Sequence, residues 1–293
     1  MNNKITWIGI AFAFLWASAS TATKISLQTT QPFVIALSRF LIAGCIMIFV
    51  THCVLRQPLP AKTDWKKLLI YGLLNISFYL GLYVVAMQKI SAGLGTLAVC
   101  VNPVFISFIA AIVFRQHIAA AGYVSLLLCC AGVFIAAWPL LQTSYASAGG
   151  IALIMASMFA YSAGAVYYSR TQWNGMHILT INGWQTLLGG MLLLPVLLLT
   201  YQSHKNNFDF HFWSGTLWLA IPVSIGAVQC WLLLLKHDTV KAAYWLFLCP
   251  VFGFLLAWAV LKEPLSLYSL VGVILVIAGL YIAQQFKISA QKE

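Results

Sequence analysis

Acidic side chains are nearly missing from this chain. It has five Asp and Glu among 293 residues, and charged residues of both signs make up only 7%. A water-soluble domain carries about 25%. So few charges could not hydrate a globular surface of this size, which excludes an ordinary soluble domain. Cysteine frameworks are missing too. Cys45, Cys53, Cys100, Cys129, Cys130, Cys230 and Cys249 form no Cys-x-x-Cys pair, and their number is odd. They read as small buried hydrophobes and suggest neither disulfides nor a zinc site.

Catalytic and nucleotide motifs are absent as well. There is no Gly-x-x-x-x-Gly-Lys-Ser/Thr loop, no His-Glu-x-x-His and no Gly-x-Ser-x-Gly. ATP hydrolysis is therefore not an energy source, and no cofactor is expected. The formal charge is +11, but the basic residues sit singly or in small groups beside apolar runs. Topology explains them, and nucleic acid is not expected as a partner.

What is present is apolar length. Hydrophobic residues make up 62% of the chain. They fall into ten runs, at about 4–24, 33–55, 66–88, 92–114, 119–139, 149–169, 177–201, 213–236, 241–261 and 267–286. A bilayer core needs about 20 apolar helical residues to cross it. The predicted fold class is therefore all-α integral membrane with ten transmembrane helices. The first run is too long for a signal peptide and is taken as an uncleaved span. The longest joints, around Arg56 to Lys62 and Lys205 to Phe212, leave no room for a soluble domain.

Lysine and arginine set the orientation. With a cytoplasmic N-terminus, the inner side holds Lys4, Arg56, Lys62, Lys66, Lys67, Arg115, Arg170, Lys236, Lys241, Lys287 and Lys292. The outer side holds Lys24, Lys89, Lys205 and Lys262. Both termini are predicted cytoplasmic. Trp7, Trp65, Trp138, Trp173 and Trp213 lie near span ends, where interfacial indoles are expected.

The chain also repeats itself. At an offset of 147, Pro103-Val104-Phe105 matches Pro250-Val251-Phe252, Ala131-Gly132 matches Ala278-Gly279, and Ile135-Ala136 matches Ile282-Ala283. At an offset of 146, Gly44 falls opposite Gly190, and Arg39 opposite Gln185. Two five-helix repeats follow, residues 1–145 and 146–293. Five is odd, so the second repeat enters the membrane inverted. Inverted repeats are a transporter architecture with the site near the midplane.

These features resemble the EamA-type branch of the drug/metabolite transporter superfamily. The second half shows Pro250-Val251-Phe252, Leu261-Lys262-Glu263-Pro264-Leu265, Gly272 and Gly279. The first shows Trp16-Ala17-Ser18, Lys24, Arg39, Pro103 and Gly132. The resemblance covers essentially the whole chain. One departure is Gln116, where the first repeat usually carries an acid. Only Glu263 keeps it, and it reads as structural at a helix end. The resemblance implies export or exchange of small metabolites by alternating access, with amino acids the commonest cargo. It also implies a multi-pass protein of the bacterial inner membrane. Efflux of another solute, such as a nucleoside or drug-like compound, is the alternative. A single chain holds both halves, so a monomer could suffice.

Polar groups within spans are the site candidates, since they are costly in hydrocarbon. Arg39 is the one charged residue well inside a span. It either binds a carboxylate or phosphate in the cavity or snorkels to headgroups. Asn182 and Gln185 share a face of helix 7, as a substrate-facing stripe or as interhelical hydrogen-bonding groups. Asn75, Tyr79 and Tyr83 repeat at i+4, and Tyr161 lies on helix 6 near Tyr168. Such stripes serve packing or a ligand cage. Gln229, Trp245 and Tyr244 are candidates for aromatic or polar walls. Pro103 and Pro250 are candidate hinges or static kinks, and Asn102 is placed to satisfy a freed backbone group.

An intramembrane enzyme would need a buried nucleophile with a base, or a metal cluster, and neither is visible. A signalling protein has no need of two inverted halves. Asp64, Asp209, Asp238, Glu263 and Glu293 all fall in joints, helix ends or the tail. Uncoupled exchange therefore fits better than proton pumping. The transport reading expects a cavity between the halves that reaches water on one side, and a solid centre would count against it.

Overall fold

The computed structural model describes residues 3–113, 120–143, 145–237 and 245–290. Among them, eight helices are long and apolar enough to cross a membrane. They are α1 (Lys4–Leu27), α2 (Pro32–Val54), α3 (Asp64–Ala86), α4 (Ala92–Val113), α5 (Ala120–Gln142), α6 (Ala148–Arg170), α7 (Ile178–Thr200) and α8 (Phe210–Trp231). Two shorter apolar helices follow, α9 (Trp245–Leu261) and α10 (Leu267–Ala283). The expected start of the ninth span, at 241–244, lies outside the described residues, as does the Arg115-Gln116-His117 joint.

Helices are the outcome this composition dictates. In hydrocarbon each backbone N–H and C=O must find its partner within the segment. Large apolar side chains cover the outside of the bundle: Leu199, Phe210, Leu267 and Ile112 are all well exposed, as lipid contact requires. Trp7, Trp138 and Trp213 are exposed near helix ends.

Small residues let the rods approach. A Cβ on Gly132 would meet the carbonyl oxygen of Gly272, and one on Gly279 would meet that of Ser125. At an offset of 147 these two contacts exchange, because Gly132 maps to Gly279 and Ser125 to Gly272. Cys129 donates its thiol to the Val276 carbonyl at 3.7 Å, and that pair maps onto itself. The α5–α10 seam therefore looks the same when its two helices are interchanged. On the α2–α7 seam, Gly44 lies against Leu187 and Gly190 against Phe40. Residue numbers rise along one helix as they fall along the other, so both seams are antiparallel.

Proline breaks the regular ladder where expected. The first part of α4 stops at Val99, turns through Cys100 and Val101, and restarts at Asn102 ahead of Pro103. Its repeat mate Pro250 sits in the first turn of Leu248–Leu261, after a 3₁₀ turn over Trp245–Phe247. Proline has no N–H to give to the preceding turn. Asn102, expected to satisfy a freed backbone group, opens the second segment. Its carbonyl accepts a long 3.5 Å bond from Ser162, while its side-chain oxygen is buried and has no partner among the described residues.

The end of α2, Val50–Val54, is wound as π-helix, and so are two stretches at matching places in the repeats, Leu73–Phe78 in α3 and Leu219–Ala227 in α8. Their starts are 146 residues apart, the offset of the repeat. Pro222 lies within the second. Such widened turns are frequent at functional sites.

Every described acid contacts the other half of the chain. Glu263, which reads in sequence as a helix-end residue, is buried. Its two carboxylate oxygens accept from the backbone N–H of Ala92 at 2.7 Å and of Gly93 at 3.2 Å. It thereby caps α4, where negative charge is favoured. Lys262 adopts a left-handed conformation at φ 56°, ending α9 and turning Glu263 back toward that cap.

Candidate functional site

The π segments of α3 and α8 bring polar groups to the α2–α7 seam. In α8, the Ser224 hydroxyl donates to the Leu219 carbonyl at 2.9 Å. The same oxygen accepts from Arg39 Nε at 3.1 Å. In α3, Asn75 Nδ2 donates to Gln185 Oε1 at 3.1 Å, and Gln185 Nε2 donates to Asn182 Oδ1 at 2.9 Å. Arg39 and Gln185 are repeat mates at an offset of 146. The same kind of contact is thus made twice: α2 to α8 through Arg39, and α7 to α3 through Gln185. The first carries a charge and the second does not.

Arg39 is only 9% exposed. Its guanidinium carbon lies 5.7 Å from the centre of the neighbouring Phe40 ring, and it is within electrostatic range of Tyr79 and Tyr83. No carboxylate among the described residues pairs with it. Among the described residues the ion pairs are Lys67–Asp64 and His211–Asp209. Ser224 uses Nε, and the two terminal nitrogens have no hydrogen-bond partner among the described residues. A buried charge with one neutral partner is costly, and a planar fork with two free nitrogens fits a carboxylate in bidentate fashion.

A cavity of about 10 Å³ adjoins it. Thr23, Arg39, Phe40, Leu80, Tyr83 and Leu219 contribute to its wall, so both halves line it. That volume holds about one water and no metabolite. It is far smaller than the water-reaching cavity that the transport reading expects between the halves.

The tyrosine stripe joins this region to the core. Tyr79 lies 4.8 Å from Tyr161 and 6.2 Å from Tyr83, measured between ring centres. The Tyr83 hydroxyl shares a 2.7 Å hydrogen bond with Ser20, which also accepts from Thr96 at 2.8 Å. Ser20, Thr96 and Ser224 were not among the sequence candidates. The one available signal was a small hydroxyl in mid-span, which is common at any helix interface.

The remaining candidates stand apart. Gln229 is half-buried on α8 and belongs to neither network. Trp245 packs over Gly9 of α1, near the opposite end of that helix from Thr23. Tyr244 lies outside the described residues. Tyr168 stacks with Tyr71 and Trp173 instead. Among the described residues no group of His, Cys, Asp and Glu could hold a metal ion.

The family model of the EamA-like transporter family matches residues 3–138 and again 148–284. An archaeal protein from Archaeoglobus fulgidus, named an uncharacterized transporter, is 28% identical over 94% of this chain and 97% of its own length. Protein PecM of Dickeya dadantii is 27% identical over 96% and 94%. A protein of Salmonella typhimurium named a probable amino-acid metabolite efflux pump is 26% identical over 96% and 95%. One solved crystal structure superposes with a TM-score of 0.64 over 97% of each chain at 21% identity, a likeness of fold. The family is one of membrane transporters rather than enzymes, and both matched segments carry the seam helices described above. The chain belongs to the EamA-like transporter family.

Proposed function

We propose that this protein exports or exchanges small metabolites, amino acids foremost, by alternating access of two inverted halves, residues 1–145 and 146–293. The observation that carries the reading is Arg39, a buried guanidinium held by one neutral hydroxyl and lacking a carboxylate among the described residues. The carboxylate of an amino acid would supply the missing charge. Tyr79, Tyr83 and Phe40 offer apolar and aromatic surface beside it, and Asn75, Asn182 and Gln185 offer neutral polar groups across the seam. The name of the Salmonella relative points the same way. The membrane would be the bacterial inner membrane, with both termini cytoplasmic and a single chain as the working unit.

A substrate larger than water would need the halves to part at the cavity wall. None of the described acids lies on the cavity wall, so exchange without a proton gradient is the expected mode.

Counterflow tests this. Proteoliposomes loaded with one unlabelled amino acid would take up the labelled one without a pH gradient. Arg39→Ala would lose the accumulation. Equal accumulation in the variant would remove Arg39 from the path. No accumulation with any amino acid would move the cargo to a nucleoside or drug-like solute.

A further inference from the structure

Asp64 and Asp209 each stand at the start of the third helix of their half, and Thr29 and Asn174 each stand in the joint before the second helix of theirs. The structure joins them crosswise. Thr29 donates to Asp209 Oδ1 at 3.0 Å. Asn174 donates to Asp64 Oδ1 at 3.3 Å. Each bond links the joint before the second helix of one half to the acid that opens the third helix of the other. The first lies where α1 meets α2, the second where α2 meets α3. One membrane-spanning helix separates them, about 34 Å for 23 residues, so they occupy opposite faces of the bundle.

Each acid is also anchored on its own helix. Asp209 accepts from the Phe212 N–H at 3.1 Å, and Asp64 accepts from Lys67 at 2.7 Å. Both carboxylates therefore stay aimed at the neighbouring half. Lys67 adds a second cross-link by donating to the Gln172 carbonyl at 2.9 Å. At the other face, Asn207 donates its N–H to the Thr29 carbonyl at 2.8 Å, and Gln31 bonds to Asn206.

We infer that Asp64 and Asp209 are paired gate residues, each holding one mouth of the pathway shut against the opposite half, and that a transport cycle breaks them in turn. Both latches are closed here, in keeping with the water-sized cavity between them. The inference rests on the alternating-access reading above.

Sided labelling tests this without knowledge of the cargo. Leu80→Cys in the cavity wall reports access to a membrane-impermeant maleimide in full-length protein, in vesicles of each orientation, with peptide mapping to separate the native cysteines. Thr29→Cys with Asp209→Cys, or Asn174→Cys with Asp64→Cys, is then bridged by a short bifunctional thiol reagent that a reductant cleaves. Each bridge should slow labelling from its own face about tenfold and leave the other face open, with recovery on reduction. Asp209→Ala and Asp64→Ala, which need no bridging, should each speed labelling from their own face. Bridges that leave both faces unchanged, or that both block the same face, overturn the gates. Sided blocking without amino-acid counterflow overturns the cargo and leaves the gates standing.

Discussion

The Arg39–Ser224 contact and the Gln185–Asn75 contact occupy equivalent places in the two repeats. Both join the second helix of one half to the third helix of the other, beside a π-wound turn. Their chemistry differs. Gln185 is satisfied at both ends of its amide, accepting from Asn75 and donating to Asn182. Arg39 is left with two nitrogens and a charge that have no partner among the described residues. The frame repeats and the chemistry at this pair does not: one half places a guanidinium where the other places an amide. A closed hydrogen-bond chain stabilises a seam, whereas a buried charge left open needs a ligand.

Four changes sharpen or break this comparison. Arg39→Ala should reduce exchange most, by about a hundredfold, because a bond to a charged group is worth about 1.5–3 kcal/mol. Gln185→Ala should cost far less. Equal losses in counterflow would mean that the two contacts do the same job. Arg39→Lys keeps the charge but loses the planar fork, so apparent substrate affinity should fall about tenfold. A native affinity would show that charge alone suffices. Ser224→Ala removes the hydroxyl that orients the guanidinium but leaves its charge in place, and should weaken substrate binding by roughly five- to tenfold, read as a shift in half-saturation. No shift would show that Arg39 orients itself. Glu263→Gln retains the side-chain shape but weakens the cap on α4 by roughly 1 kcal/mol. It should lower the melting temperature in detergent by a few degrees and leave cargo preference intact. A changed preference would bring that acid into the substrate path.

Much of this was legible in one dimension. Apolar run length marked the helices, and the Pro103/Pro250 and Gly132/Gly279 matches exposed the repeat. Arg39 stood out because hydrocarbon tolerates so few charges. Trp245 reads as a wall residue in sequence, and only the structure shows that its ring packs on Gly9. Ser20, Thr96 and Ser224 were invisible for the opposite reason, since small hydroxyls carry no distinctive pattern. Glu263 reads as a helix-end acid, and nothing in its neighbours reveals that it caps a helix about 170 residues earlier in the chain.

By itself the sequence determined that the chain crosses a membrane repeatedly, that it repeats, and that one half carries an arginine where the other carries glutamine. Length, composition and offset are properties of a line of residues. Only the tertiary structure decided which polar groups meet, because that depends on how each helix is rotated about its axis and on which helices become neighbours. A rotation of one residue, about 100°, would turn Ser224 away from Arg39 and leave every sequence pattern as it was.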